Sequence, residues 1–247
     1  MKQENISRER LRSLASRWHR MGESGHTYYL PPGQVPPKEV PLPEEVSALL
    51  ELSDTGAVLF WSLAEAHLLL PPFPVERAAD FPGWQDGPLH SILDRPRRIL
   101  VLLLRLGGYS VGVFDGGQLV SSKTGSPFVK GRHRKGGSSS GRFARRREGQ
   151  ARNLFDKACE ALRGQVEGYE GQLDNFVLGG DRLTLLAFEK RCPLLQTLSS
   201  IRLRRLLDVP DPRLNVLKAT PRLIYTSRLI TFTPEMPADG TGRETAP

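Results

Sequence analysis

Residues 99–125 read ILVLLLRLGGYSVGVFDGGQLVSSKTG, and this stretch decides the fold. Ile99–Leu106 is an almost unbroken apolar run, the pattern of a strand buried on both faces. Tyr109–Phe114 and Gln118–Ser122 flank Asp115-Gly116-Gly117, so a tight β-hairpin is expected there. The tripeptide Gly116-Gly117-Gln118 therefore reads as a turn.

Outward to the C-terminal side, a basic loop runs from about Lys123 to Gly141. A long helix is expected over Arg142–Glu167, because Ala144, Ala151, Phe155, Ala158, Leu162 and Val166 recur close to helical spacing. Asn175–Leu178 reads as a short buried strand ending in Gly179-Gly180-Asp181. Arg182–Arg191 reads as a helix, Ile201–Leu207 as a strand, Pro212–Ala219 as a short helix and Ile224–Phe232 as the last strand. Asp181 is placed to cap a helix, and Asp208, Asp211 and Arg213 to build a turn and cap.

On the N-terminal side, residues 1–21 read as one charged helix with Leu11, Leu14, Ala15 and Trp18 on one face. Six prolines between Tyr29 and Pro43 exclude regular helix and central strand there. Pro43–Leu52 reads as a short helix, Ala57–Trp61 and Leu68–Leu70 as strands, and Gly83–Asp94 as a loop and then a short helix. Strands alternating with helices after a hairpin argue for an α/β domain with a mixed sheet and flanking helices.

The chain has 247 residues, 38% of them hydrophobic, enough to bury a core. Its net charge is +8. Ten Lys or Arg and one acid, Glu148, fall between Lys123 and Arg152, so the remainder is close to neutral. A neutral body with one concentrated basic segment is aimed at a polyanion. Its longest strictly apolar run, Ile99–Leu104, is too short to cross a membrane, and the N-terminus lacks a secretory apolar region. With only two cysteines, Cys159 and Cys192, no disulfide framework is possible, both read as ordinary small residues, and a reducing cytoplasm is expected. No metal or cofactor is expected.

The basic segment from Lys130 to Arg152 is KGRHRKGGSSSGRFARRREGQAR. Gly136 and Gly137 supply flexibility. Lys130, Arg132, Arg134, Lys135, Arg142, Arg145, Arg146, Arg147 and Arg152 are candidate RNA contacts, since arginine matches phosphate geometry and a helix N-terminus offers free N–H groups. His133, between Arg132 and Arg134, sits where charge disfavours its protonation and reads as a further RNA contact. Gln150 reads as a surface residue of the helix. The loop is no nucleotide cradle, because KGGSSSGR lacks the lysine-then-serine/threonine ending of a P-loop.

Four stretches together resemble one family: GGYSVGVFDGGQLVSSKTGS (107–126), GGSSSGRFARRREGQAR (136–152), Phe176-Val177-Leu178-Gly179-Gly180-Asp181, and LLDVPDPRLNVLKATP (206–221). They resemble bacterial Vms-like release factors, relatives of the central, ester-hydrolysing domain of the eukaryotic peptide-chain release factor. The resemblance implies a release-factor central-domain-like fold with a long basic loop between hairpin and helix. It implies a variable N-terminal region over residues 1–95 packing on the same domain, the family domain over 96–233, and a disordered tail over 234–247. It also implies a cytoplasmic monomer that engages large-subunit ribosomal RNA and peptidyl-tRNA and hydrolyses the peptidyl-tRNA ester on stalled subunits.

The family loop reads approximately GG-x-S-Q-Q-R-F. Here Gly136, Gly137, Ser138, Ser139, Ser140, Gly141, Arg142 and Phe143 stand in those places. The resemblance assigns the loop tip, Ser139, Ser140 and Gly141, to catalysis, yet both glutamines are replaced, by Ser140 and Gly141. A non-catalytic ribosome- or tRNA-binding factor of the same fold is therefore the alternative.

Overall fold

The computed structural model describes residues 1–21, 25–126 and 140–234. The chain forms two compact units. One is Met1–Arg95 together with the segment from Tyr225 onward, and the other is Pro96–Ile224.

The first unit holds a six-stranded antiparallel sheet. Its strands are β1 (Lys2–Ile6), β2 (His26–Leu30), β3 (Ala57–Trp61), β4 (Ala66–Leu70), β5 (Ala79–Pro82) and β11 (Ser227–Phe232), in the order β1-β11-β4-β3-β2-β5. Helices α1 (Arg8–Met21) and α3 (Gly87–Asp94) pack on one face, where Leu11, Ala15 and Trp18 meet Phe60, Leu69, Leu89 and Leu93. Helix α2 (Glu44–Glu51) covers the other face through Val46 and Leu50, against Leu59, Leu68 and Ile230. Alternate residues of β2, β3, β4 and β11 thus enter different clusters, as a period of two requires.

Three strands here escape the sequence pattern. Residues 1–21 are not one helix: Lys2–Ile6 pairs antiparallel with β11 before α1 begins. β1 is a polar edge strand that buries only Ile6 fully, so it carries little apolar signal. β2 and β5 lie beside Pro-rich sequence. β2 ends at Leu30, just before Pro31-Pro32, and β5 is a sheet edge closing on Pro82, the setting in which proline is tolerated.

His67 on β4 is buried. Its ring stacks on Trp18 with centroids 4.2 Å apart, and Trp84 meets it edge-on at 5.3 Å. Nδ1 lies 3.0 Å from Thr231 Oγ1, and Nε2 lies 3.4 Å from a Glu65 carboxylate oxygen. Burial pulls the imidazole pKa below its ordinary value, with Glu65 opposing.

The second unit is the mixed α/β layer expected from the sequence. Its strands are β6 (Arg98–Arg105), β7 (Gly108–Asp115), β8 (Gln118–Gly125), β9 (Asn175–Gly180) and β10 (Arg202–Leu207), in the order β10-β9-β6-β7-β8. β6, β9 and β10 are parallel neighbours, while β7 and β8 run antiparallel to the strands beside them. All six central residues of β6, Ile99–Leu104, are fully buried, as a central strand covered on both faces demands. The hairpin closes over Gly116 and Gly117, with Asp115 paired to Gln118. Gly116 takes φ +57°, the conformation that selects glycine in two-residue hairpins. The Gly116-Gly117-Gln118 tripeptide is a turn.

Helix α4 (Ser140–Gly168), α5 (Arg182–Glu189) and α6 (Leu194–Thr197) share one face of this sheet. Helix α7 (Leu214–Ile224) packs against β7, β8 and β10. The sequence pattern stops α7 before Pro221, yet the helix continues to Ile224. Pro221 cannot donate to the Leu217 carbonyl, and Thr220 Oγ1 donates to that carbonyl instead at 2.8 Å, so no buried acceptor is orphaned.

The last strand lies outside the second compact unit. Ser227–Phe232 completes the first sheet, between β1 and β4, and is no part of the second. A strand of mixed apolar and polar residues fits either sheet, so its composition could not assign it.

Candidate nucleic-acid interface

Helix α4 carries the arginine run. It is 29 residues long and anchored by its second half: Leu154, Phe155, Ala158 and Leu162 are buried against Tyr109, Val111, Val113 and Phe176. Burying each of Leu154, Phe155 and Leu162 contributes about 1.5–3 kcal/mol, enough to hold the helix on the sheet. Leu154, the first fully buried residue of α4 among the described side chains, is absent from the expected stripe, which names its neighbours Ala151 and Phe155.

Roughly 20 Å of helix precedes Leu154 at ~1.5 Å per residue. The helix starts at Ser140, so the backbone of Ser140, Gly141 and Arg142 forms its first turn. The first four N–H groups of a helix have no partner within it, and the dipole there is positive. No acidic residue lies in this first turn. Arg145 and Arg152 are exposed. The backbone of Arg142, Arg146 and Arg147 lies in the same helix. Lys130, Arg132, His133, Arg134, Lys135, Gly136, Gly137, Ser138 and Ser139 fall outside the described residues, as does most of the expected basic loop. Gln150 is half-buried on α4.

Two clips fasten the middle of α4 to the segment just after α5. Arg191 Nε and Nη2 donate to the two Asp156 oxygens at 2.6 and 2.8 Å. Arg191, first, and Arg152 hold the Asp156 carboxyl below the usual carboxylate range. One turn further on, Cys159 and Cys192 form a disulfide with Cα atoms 5.7 Å apart. This corrects the reading of both cysteines as ordinary small residues. Separated by 33 positions, they carry no local signal of pairing, and only the packing of α5 beside α4 brings them together. It also removes the cysteine argument for a reducing compartment.

The other end of β9 is fixed by Gly180 and Asp181. Gly180 adopts φ +116°, and a Cβ there would collide with the Leu104 carbonyl oxygen. Asp181 caps α5 as expected. Its Oδ2 accepts from Thr184 N at 2.8 Å and Thr184 Oγ1 at 2.6 Å, and these bonds lower its pKa. Arg105 Nε donates to the Val209 carbonyl at 2.8 Å, and its guanidinium lies 3.6 Å from Asp208, fastening the turn after β10.

Among the described residues there is no cluster of metal-ligating side chains and no helix long and apolar enough to cross a membrane.

The scaffold is a mixed α/β domain built on a β-hairpin, with a run of arginines in the first half of α4. Residues 97–230 match the family model described as Actinobacteria/chloroflexi VLRF1 release factor, and the chain belongs to that family. Its role is that of a release-factor-like protein of translation. No curated protein matches the chain. Among solved structures, it is similar to an archaeal translation termination factor, aRF1, at 17% identity, with 89% of this chain and 73% of that one covered and a TM-score of 0.38. It is also similar to the Pelota protein of Thermoplasma acidophilum (9% identity, 87% and 62% covered, TM-score 0.28). A third similarity is to Dom34 of S. cerevisiae, a translation termination-like factor involved in RNA quality control pathways (7% identity, 90% and 67% covered, TM-score 0.30).

Proposed function

We propose that this protein acts as a monomer on the large ribosomal subunit and hydrolyses the ester of a stranded peptidyl-tRNA. The observation that carries the reading is membership of a release-factor family over residues 97–230, the region that bears the basic segment and the arginine end of α4. In this reading Lys130, Arg132, Arg134, Lys135, Arg142, Arg145, Arg146, Arg147 and Arg152 grip ribosomal RNA or tRNA phosphates, while Gly136 and Gly137 let the segment reach the ester.

Ester hydrolysis needs an oriented water and neutralisation of the charge that develops on the carbonyl oxygen. With no glutamine at the tip, two groups of this chain suit those tasks. Ser139 and Ser140 hydroxyls can orient the water, and the N–H groups of the first turn of α4, beginning at Ser140 and Gly141, suit the oxyanion. One water proton then passes to the leaving 3′-oxygen of the tRNA, the other goes to solvent, and the peptide leaves as a carboxylate.

The loss of both glutamines supports a second reading, a factor that docks on the ribosome or tRNA without cutting. The deciding experiment is peptide release from purified large subunits carrying labelled peptidyl-tRNA, with wild type compared with Ser140→Gln. Release by wild type above a protein-free control is the expected result. Binding without release sinks the hydrolytic reading, and gain of release in Ser140→Gln then locates the missing chemistry.

A further inference from the structure

Helix α5 is apolar on two sides. Thr184, Leu185 and Phe188 point into the core. Leu183 and Leu186 point outward, 76% and 47% exposed. A helix apolar around most of its circumference normally lies covered on both sides.

Beside it the sheet ends. β10 is an edge strand, and Leu206 on it is 41% exposed. Leu206 pairs in register with Leu178, so it projects on the α5 side. Between α5 and β10 lies a groove of about 350 Å³. Arg182, Arg202, Arg204 and Arg205 line it, Arg205 with Nη1 donating to the Ile224 carbonyl at 3.0 Å, and Glu189 is the one acid among the described lining residues. That acid is already engaged, with Oε1 2.7 Å from Arg202 Nη2.

From this combination of exposed leucines and a basic rim, we infer that the α5–β10 groove docks an acidic amphipathic segment of a protein partner. The partner's apolar side chains lie on Leu186 and Leu206 in the groove and on Leu183 beside it, and its carboxylates face the arginines of the rim. Nucleic acid fits less well, because single-stranded bases stack on aromatic rings and no aromatic residue lines the groove among the described residues. A second copy fits less well too, since a twofold contact would set the same arginines against each other.

The test is fluorescence anisotropy of the full chain with a labelled synthetic peptide built from leucine and glutamate to form an acidic amphipathic helix. Two controls accompany it: a scrambled sequence, and a version with lysine for glutamate. The acidic amphipathic peptide is expected to bind, and about tenfold more weakly to a Leu183→Ser/Leu186→Ser variant, because truncating central apolar contacts carries most of such binding energy. An Arg145→Ala/Arg152→Ala variant should bind it like wild type. Both leucines are exposed, so the leucine variant keeps its fold, which a melting curve checks.

Absence of binding overturns the proposal, as does equal binding by the scrambled peptide or by the leucine variant. Single-stranded RNA that binds wild type and loses affinity in the leucine variant would make the groove a nucleic-acid surface. A dimer abolished by the same substitutions would make it a self-contact. Peptide release in a purified system is unaffected by these substitutions, so the proposal and the hydrolytic reading fail separately.

Discussion

Arg191 grips Asp156 with two hydrogen bonds, of 2.6 and 2.8 Å, and the residue after it, Cys192, is bonded to Cys159 one helical turn along α4 from Asp156. An ion pair and a covalent bond thus fasten adjacent turns of one helix to two successive residues. The ion pair is exposed and by itself adds little, while Cys192 is fully buried.

The disulfide closes a loop of 33 residues. Chain-entropy reasoning gives it about 3–4 kcal/mol of stabilisation. Cys159→Ser, or reduction of the wild type, should lower the urea midpoint by a corresponding amount. An identical midpoint with and without reductant would show that the bond does not hold the fold.

His67 makes the first unit acid-sensitive. Burial holds its pKa below the ordinary value of 6.5, against the pull of Glu65. As pH falls below about 6.5, the unfolded chain binds a proton that the native chain refuses. The stability is therefore full above that pH and is lost as pH falls toward the depressed native value. In urea titrations, His67→Gln should show a smaller loss than wild type over this range. Parallel curves for the two proteins would contradict it.

Arg145 and Arg152 are exposed, so their loss should leave the fold intact. If each contacts one phosphate, each Ala substitution lowers the steepness of the salt dependence of ribosome binding by roughly 0.7–0.9. Co-sedimentation across a salt series measures this, and an unchanged slope in the double variant removes these residues from the interface.

Asp181 caps α5 through Thr184. Asp181→Ala should destabilise the second unit by about 1 kcal/mol, read as a shift in the denaturation midpoint. Unchanged stability would mean that the two bonds contribute nothing net.

Gln118 belongs to a hairpin turn and is exposed. Gln118→Ala should leave both stability and peptide release as in wild type. A loss of release would show that the turn's Gly-Gly-Gln tripeptide takes part in the chemistry.

The second unit was readable because its signals are strong and local. Ile99–Leu104 is apolar throughout, Asp115-Gly116-Gly117 is a hairpin turn, and Phe155, Ala158 and Leu162 recur at helical spacing. What escaped depends on distance along the chain. β1 is polar and becomes a strand only through β11, more than two hundred residues away. Cys159 meets Cys192 only after two helices pack side by side. The candidate interface was legible as charge, since ten basic residues crowd one segment. The starting point of α4 at Ser140 was less so, because serine and glycine favour helix starts and loops alike.

The placement of β11 imposes an order on biosynthesis. β1 joins its sheet only through β11, and without β11 the flank of β4 stays open. A growing chain therefore carries an incomplete N-terminal sheet from the emergence of Arg95 until Phe232 is made, an interval of roughly 7–27 s at about 5–20 residues per second. The second unit, contiguous in sequence, can close during that wait. A chain ended and released between Ile224 and Ser227 would carry a complete second unit and an N-terminal sheet with an exposed flank, a substrate for chaperones. A protein of the release-factor family is thus itself sensitive to truncated translation.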